Sequence, residues 1–254
     1  MELVGKISLI TGGSRGVGKA IAHHFAAHGC NIAIVYKSSK DEAQKIVSQI
    51  KKLGRNAIAI SADLRDYEQA KSAVQQTIDK LGGLDILSHS AGAQVQWNTI
   101  RDSDQEQWAD YVNNDLIGSF NIFQPVMRHM HQNNGGRIIA ISSIAAQMCQ
   151  SRNSQGAAAK AGLEAMIRVA AREEARNNIL VNGISIGLTN TDQAREALEQ
   201  WGPEATQKII KSIPLGRMAE PEEIAEMALF LASEKGKYIT GKIFQVDGGQ
   251  IITG

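Results

Sequence analysis

The stretch Leu9 to Ala20, LITGGSRGVGKA, limits what this chain can fold into more than any other. An apolar run, Ile7 to Ile10, ends in Thr11-Gly12-Gly13-Ser14-Arg15-Gly16-Val17-Gly18, and an Ala/Ile/Phe-periodic segment from Lys19 to Ala27 follows at helical spacing. That order reads as strand, glycine turn, helix. Gly12, Gly16 and Gly18 let the backbone bend sharply, approach a pyrophosphate and seat the helix on the strand, while free N–H groups at the helix start face the anion. Ser14, Arg15 and Val17 complete the cradle. The spacing is G-x-x-x-G-x-G rather than G-x-G-x-x-G, so the dinucleotide fingerprint is matched in mechanism and not in letters. A tight turn with no ligand is the bland alternative.

A chain of 254 residues can bury a sizeable core as one large α/β domain or two small ones. Its formal net charge of +1 gives no case for binding nucleic acid or an anionic membrane. Cys30 and Cys149 cannot by themselves build a disulfide framework or a metal site; both are expected to be buried thiols in a reducing compartment. The chain opens on no basic segment followed by an apolar one, and no apolar run approaches membrane-spanning length. A cytoplasmic enzyme or binding protein is the starting expectation.

Asn31 to Tyr36 (NIAIVY) suits a buried parallel strand, and Lys37-Ser38-Ser39-Lys40 stand where it ends. In a dinucleotide fold that point discriminates between coenzymes, because an acidic residue there binds the ribose hydroxyls and repels a 2′-phosphate. No acid occurs before Asp41, and Arg15, Lys37 and Ser38 can converge on a phosphate. NADP is therefore favoured over NAD, with a solvated Lys/Ser turn as the alternative. Asp41 to Leu53 has a helical period, Asn56 to Ser61 reads as the third strand, and Ala62-Asp63-Leu64 terminates it. Asp63, with Leu64 beside it, stands where an adenine edge can be bound; otherwise it caps the helix that starts near Asp66.

Leu84 to Leu87 makes a fourth strand, followed by Ser88-His89-Ser90-Ala91-Gly92. Ser90, Ala91 and Gly92 let backbone approach a cofactor, whereas the lone His89 reads as a packing or hydrogen-bonding histidine. A helix from about Gln105 to Met130, interrupted at Pro125, leads to a fifth strand at Arg137 to Ile141 that ends in Ser142 and Ser143. The helix from about Ser154 to Arg176 places Leu163, Met166, Ile167 and Ala170 on one face. Ile179 to Ile184 is a sixth strand and Phe244 to Asp247 a seventh. Between them, residues 187–218 break the α/β rhythm with Gly187, Thr189, Asn190, Thr191, a helix-like Asp192 to Glu199, and Pro203 and Pro214. A late insertion of that kind suits a substrate lid. The expectation is one α/β domain over 1–254: a doubly wound, Rossmann-type parallel sheet of about seven strands with helices on both faces.

These motifs together resemble the short-chain dehydrogenase/reductase family, particularly its 3-oxoacyl-carrier-protein reductases and enoyl reductase relatives. The likeness runs through TGGSRGVG (Thr11 to Gly18), AD (Ala62-Asp63), AG (Ala91-Gly92), ISS (Ile141 to Ser143), AAAKAGLEA (Ala157 to Ala165), VNGIS (Val181 to Ser185), GRMAEPEEIA (Gly216 to Ala225) and VDGG (Val246 to Gly249). The family's catalytic set is Asn, Ser, Tyr and Lys, with tyrosine four residues before lysine. Carried over by motif, Lys160 is the lysine, also expected to bind the nicotinamide ribose, and Ser143 is the serine. The tyrosine position holds Gly156 and the asparagine position Asp115. His89-Ser90 replaces the usual Asn-Asn, and Ile186 the usual proline before Gly187.

The departures bear on chemistry because carbonyl reduction needs a proton donor beside the hydride acceptor, and such general acid catalysis contributes about 10²–10⁴-fold. Glycine supplies no proton. The resemblance then implies an NADP-dependent reductase for an acceptor needing less help, such as a conjugated enoyl or dienoyl thioester or an imine, with proton delivery from Asp115, Lys160 or water held by Ser143. A carboxyl donates only in its protonated form, which burial favours and a neighbouring ammonium opposes. Two alternatives stand beside it: a cofactor-binding cyclase or isomerase with Asp115 as base, and a catalytically silent binding protein. The family further implies a homotetramer, with the helices from Gln105 and Ser154 packing between subunits.

Overall fold

Two short hydrophobic periods, one of 2 and one of 3.6, alternate along the chain, and a computed structural model that describes residues 1–252 shows what they build. In order come β1 (Ile7–Thr11), α1 (Gly16–Ala27), β2 (Asn31–Tyr36), α2 (Lys40–Lys52), β3 (Ala57–Ser61), α3 (Tyr67–Leu81) and β4 (Ile86–His89). Next are α4 (Gln105–Val112), α5 (Gly118–Gln132), β5 (Gly136–Ser143), α6 (Ala145–Met148), α7 (Ser154–Glu174) and β6 (Ile179–Ile186). The chain closes with α8 (Asp192–Trp201), α9 (Pro203–Ser212), α10 (Pro221–Ala232) and β7 (Ile243–Val246). Seven strands, all parallel, lie in the order β3-β2-β1-β4-β5-β6-β7. The protein is one doubly wound α/β domain of the Rossmann type.

Strand alternation sorts the apolar side chains into two layers. Ile10, Ile32 and Ile34 point to the face covered by α1, α2 and α10, where they pack with Phe25, Ile46, Ile50 and Ile224. Leu9, Ala33 and Val35 point to the face covered by α3, α5 and α7, against Val74, Phe123, Leu163 and Ile167. Burial on both faces is why these strands are continuous hydrophobic runs, each large aliphatic contributing roughly 1.5–3 kcal/mol.

The order reverses between β1 and β4, which opens a crevice beyond their carboxyl ends. Among the described residues no helix is long and apolar enough to cross a membrane, and no group of His, Cys, Asp and Glu is placed to hold a metal ion.

Several local expectations need correction. The helix expected from Gln105 to Met130 is interrupted not at Pro125 but at Asn113–Ile117, one wide turn in which the Gly118 N–H bonds back to the Asn113 carbonyl. Pro125 rides inside α5, where it forgoes one backbone hydrogen bond; burial of Ile122, Phe123 and Val126 offsets that loss. Helix α1 starts at Gly16 rather than Lys19, so Gly16 to Gly18, the end of the glycine turn, belong to its first turn. Strand β6 continues to Ile186, which pairs with Ser143 and brings both to the crevice. Cys30 is buried as expected, but Cys149 is exposed, on a left-handed residue (φ +47°) that ends α6. Asp66, not Asp63, caps α3, accepting the N–H groups of Glu68 and Gln69.

Candidate active site

The crevice holds two joined cavities. One, of about 380 Å³, runs over the glycine turn between the ends of β1, β2, β3 and β4. It is lined by Gly12, Ser14, Arg15, Gly16, Val17, Gly18, Lys37, Ser38, Asp63, Leu64, Ser90, Ala91, Gly92 and Thr191. The other, of about 300 Å³, shares Ser90, Ala91, Gly92 and Thr191 and continues past Asp115, Ser143, Lys160, Gly187 and Thr189. Every position that the sequence nominated for cofactor or catalysis therefore faces one continuous cleft.

The turn has the shape a dinucleotide requires. At Gly12 (φ +64°) a Cβ would stand 2.8 Å from Ala91 N and Ser90 O, and at Gly18 it would come within 3.1 Å of the Gly13 Cα. Backbone is thus packed on backbone, and the remaining space is open to a ligand. Arg15, the residue before α1, makes no side-chain cap, which leaves the first N–H groups of that helix facing the cleft.

At the outer end of the cleft, Lys37 Nζ lies 3.1 Å from Asp63 Oδ2, and Arg65 grips the same carboxylate at 2.6 Å. Arg65 first, then Lys37, hold the Asp63 carboxyl well below the usual range. Lys37 is therefore a partly neutralised cation, whereas Arg15 has no acidic partner among the described residues.

Below the turn, a buried polar chain links β1 to the wide turn. Thr11 Oγ1 accepts the N–H groups of Ser90 (3.2 Å) and Ala91 (3.3 Å) and meets His89 Nδ1 at 2.8 Å. On the other side, His89 Nε2 meets Ser119 Oγ at 2.8 Å, and the Ser119 hydroxyl donates to the Asp115 carbonyl at 2.5 Å. Since Ser119 has only one proton and gives it to Asp115, Nε2 must donate and Nδ1 must accept from Thr11. Burial, reinforced by the Lys160 charge, pushes His89 down to about 3, so the ring is neutral. It is a structural histidine, as its lone position in the sequence suggested.

Asp115 is 1% exposed. Its Oδ1 accepts the Ala93 N–H at 2.7 Å and the Asn114 amide at 2.9 Å, and Lys160 Nζ stands 2.9 Å from Oδ2, as an ion pair rather than an aligned hydrogen bond. Two N–H groups and an ammonium thus surround this carboxyl group. Gly92 packs directly on the pair; a Cβ there would reach 3.3 Å from Oδ2. Ser143 Oγ accepts the Ala145 N–H at 3.2 Å, and its own proton has no acceptor among the described residues. Gly156 lies one turn before Lys160 on α7, and its open side is filled by the Asn153 carboxamide.

Sequence reading missed three aromatic residues of the inner cavity. Tyr111 lines it from α4, four residues before Asp115 and just ahead of the wide turn. Trp97 and Trp201 line it too, packed edge to face with ring centroids 4.8 Å apart. They lie 104 residues apart on separate elements, so no local pattern joins them. Trp201 belongs to α8, and Leu188, Ala194, Ala197 and Leu198 form a wall with it; Gln193 reaches across to the Ala93 carbonyl at 3.3 Å.

The fold that carries this site recurs in known proteins. The family model described as Enoyl-(Acyl carrier protein) reductase matches residues 12–250. The chain is 34% identical over 244 residues to a 3-oxoacyl-acyl-carrier-protein reductase of Staphylococcus aureus, covering 96% of this chain and 97% of that one. It is 33% identical over 252 residues to the reductase of the same name from Thermotoga maritima, covering 99% and 100%. A solved structure, a blue fluorescent protein from a metagenomic library in complex with NADPH, superposes with a TM-score of 0.91 at 33% identity over 99% of this chain and 100% of that one. A match that runs from the glycine turn through the last strand, on relatives of the same length and architecture, makes this chain a member of the short-chain dehydrogenase/reductase family of oxidoreductases.

Proposed function

We propose that the protein is an NADP(H)-dependent reductase whose active site lacks the family's tyrosine on the lysine helix and whose acceptor is a polarised double bond, in a conjugated enoyl or dienoyl thioester, an imine or a carbonyl. The observation that carries the reading is the Asp115–Lys160 pair, buried where the dinucleotide cleft meets an apolar cavity, with a glycine one turn before the lysine. Nicotinamide supplies hydride when bound; the rest is the work of the chain. Gly12, Ser14, Gly16, Val17 and Gly18 hold the pyrophosphate on the start of α1. Arg15, Lys37 and Ser38 take the 2′-phosphate, Asp63 and Leu64 flank the adenine, and Ser90, Ala91 and Gly92 approach through backbone. Gly187, Thr189 and Thr191 close on the nicotinamide end. The NADPH complex of a structural relative supports the choice of coenzyme.

In this reading Lys160 binds the nicotinamide ribose and supplies positive charge near the acceptor. Asp115 fixes that ammonium and the Ala93 backbone, and Ser143 turns its free proton toward the substrate. Residues 187–218, with α8 and α9, act as the lid, excluding water through the apolar wall that ends in Trp201. The exposed apolar residues Ile117 and Phe120 near the start of α5 and Val169 on α7 suit packing between copies in a homotetramer, and free thiols suit the cytoplasm.

Fluorescence titration with NADPH and NADH, followed by NADPH oxidation over a panel of enoyl thioesters, imines and ketones, tests the proposal. It requires tighter binding of NADPH and turnover of at least one class. Tight binding without turnover transfers the site to the isomerase or binding-protein reading, and no binding of either coenzyme removes the proposal altogether.

A further inference from the structure

We propose that the phenol of Tyr111, presented from α4, is the proton donor of the substrate cavity; the inference rests on the reductase reading above. An acceptor that takes a hydride must take a proton too, and the groups already described do not readily provide one. Asp115 Oδ1 accepts the Ala93 and Asn114 N–H groups, Lys160 is paired with Asp115, and Ser143 carries only an aliphatic hydroxyl.

The chain has four tyrosines. Tyr238 is fully exposed, Tyr67 hydrogen-bonds to Gln124, and Tyr36 lines the cofactor cleft. Tyr111 lines the inner cavity together with Asp115, Ser143 and Lys160. It is only 6% exposed. Burial, then the Asp115 charge, push the phenol upward and keep it protonated, so that only a strongly basic centre takes its proton. The inner cavity thus carries a phenol on α4, whereas α7 has none one turn before Lys160.

The step balances as follows. Two electrons arrive with hydride from reduced nicotinamide, and a C–H bond forms at the acceptor carbon. The π pair of the C=O, C=N or conjugated C=C moves to the far atom, an alkoxide-, amide- or carbanion-like centre more basic than a phenolate. That atom takes the Tyr111 proton as the O–H bond breaks. The phenolate, offset by the nearby Lys160 ammonium, is reprotonated by water once the cavity opens.

Tyr111→Phe keeps the ring and removes only the proton. Its affinity for NADPH, read by fluorescence, should stay within about twofold of wild type, while kcat falls by about a hundredfold or more. In fluorotyrosine-labelled protein, the fluorine resonance absent from Tyr111→Phe identifies Tyr111, and it should shift when a saturated product analogue joins the oxidised coenzyme complex. Wild-type turnover that Tyr111→Phe retains within twofold, or a Tyr111 resonance that ignores the analogue, overturns this inference and leaves the reductase reading intact. A wild-type protein that binds NADPH but reduces no class of acceptor overturns both.

Discussion

The Asn153 side chain fills the space into which a side chain at Gly156 would grow: a Cβ built on Gly156 comes within 3.0 Å of the Asn153 Cγ and closer still to its Oδ1. Asn153 is buried and that oxygen has no hydrogen-bond partner. Restoring a tyrosine at 156 therefore means overpacking a polar contact, at about 1–3 kcal/mol. Gly156→Tyr alone should lower the urea midpoint without raising ketone reduction above wild type, whereas Gly156→Tyr with Asn153→Gly should recover the midpoint and raise it. A rise with the single variant would show that Asn153 gives way freely.

Asp115 and Lys160 should be strongly coupled. Lys160→Met leaves a carboxylate that is 1% exposed without its cation, and breaking one side of a buried pair costs about 3–5 kcal/mol. Replacing both, as Asp115→Leu with Lys160→Met, removes the orphaned charge and should be less destabilising than Lys160→Met alone. A urea double-mutant cycle reads the difference, and additive losses would mean that solvent already screens the pair. NADPH affinity should fall in every variant lacking Lys160.

How much of this was readable beforehand divides by the range of the interaction. The strand, turn and helix around Gly12 to Gly18 are local, and so is the alternation that sends Leu9 and Ile10 to opposite layers; both were legible. The break in the long helix was misplaced to Pro125, because proline is a visible local signal. The wide turn at Asn113–Ile117 instead carries a long-range bond, from the Ala93 N–H to Asp115 Oδ1. The pairing of Asp115 with Lys160 was expected only from the resemblance, which puts both in one catalytic set, and the two stand 2.9 Å apart. Trp97 and Trp201, or Asn153 behind Gly156, meet only after the sheet has formed.

His89 makes a prediction in pH. Its folded value is depressed to about 3 from an ordinary 6.5, so between those limits the unfolded chain binds the extra proton. Stability from the neutral ring is complete above pH 6.5 and is lost as pH falls from there toward 3, by about 1.4 kcal/mol per unit. Urea midpoints of wild type and His89→Gln at pH 7, 6, 5 and 4 should converge on acidification, because the variant lacks this share of the slope. Parallel curves would mean that the ring is not held neutral.

Arg15 should matter more than Lys37 for the choice of coenzyme. Both line the cleft, but Lys37 shares its charge with Asp63 at 3.1 Å, while Arg15 has no acidic partner among the described residues. A charge-assisted bond to phosphate is worth about 1.5–3 kcal/mol. Arg15→Ala should thus weaken NADPH binding by about tenfold or more with little change for NADH, and Lys37→Ala by less. The loss should shrink at high salt, since the site is open to solvent. Equal effects on both coenzymes would remove the 2′-phosphate from this corner.

The Trp97–Trp201 pair should set how well the inner cavity holds an apolar acceptor. The rings meet edge to face at 4.8 Å, one from the loop after β4 and the other from the end of α8, so their contact joins the two walls. An aromatic pair of this geometry is worth about 0.5–1.5 kcal/mol beyond the area that it buries. Trp201→Ala removes that contact and opens the wall to water without touching Asp115, Lys160 or the glycine turn. KM for an apolar acceptor should rise by about tenfold with NADPH affinity unchanged, and Trp97→Ala added to it should cost little more, because the two residues lose the same contact. Additive rises in KM would show that each tryptophan meets the substrate by itself, and an unchanged KM would place the acceptor elsewhere in the cleft.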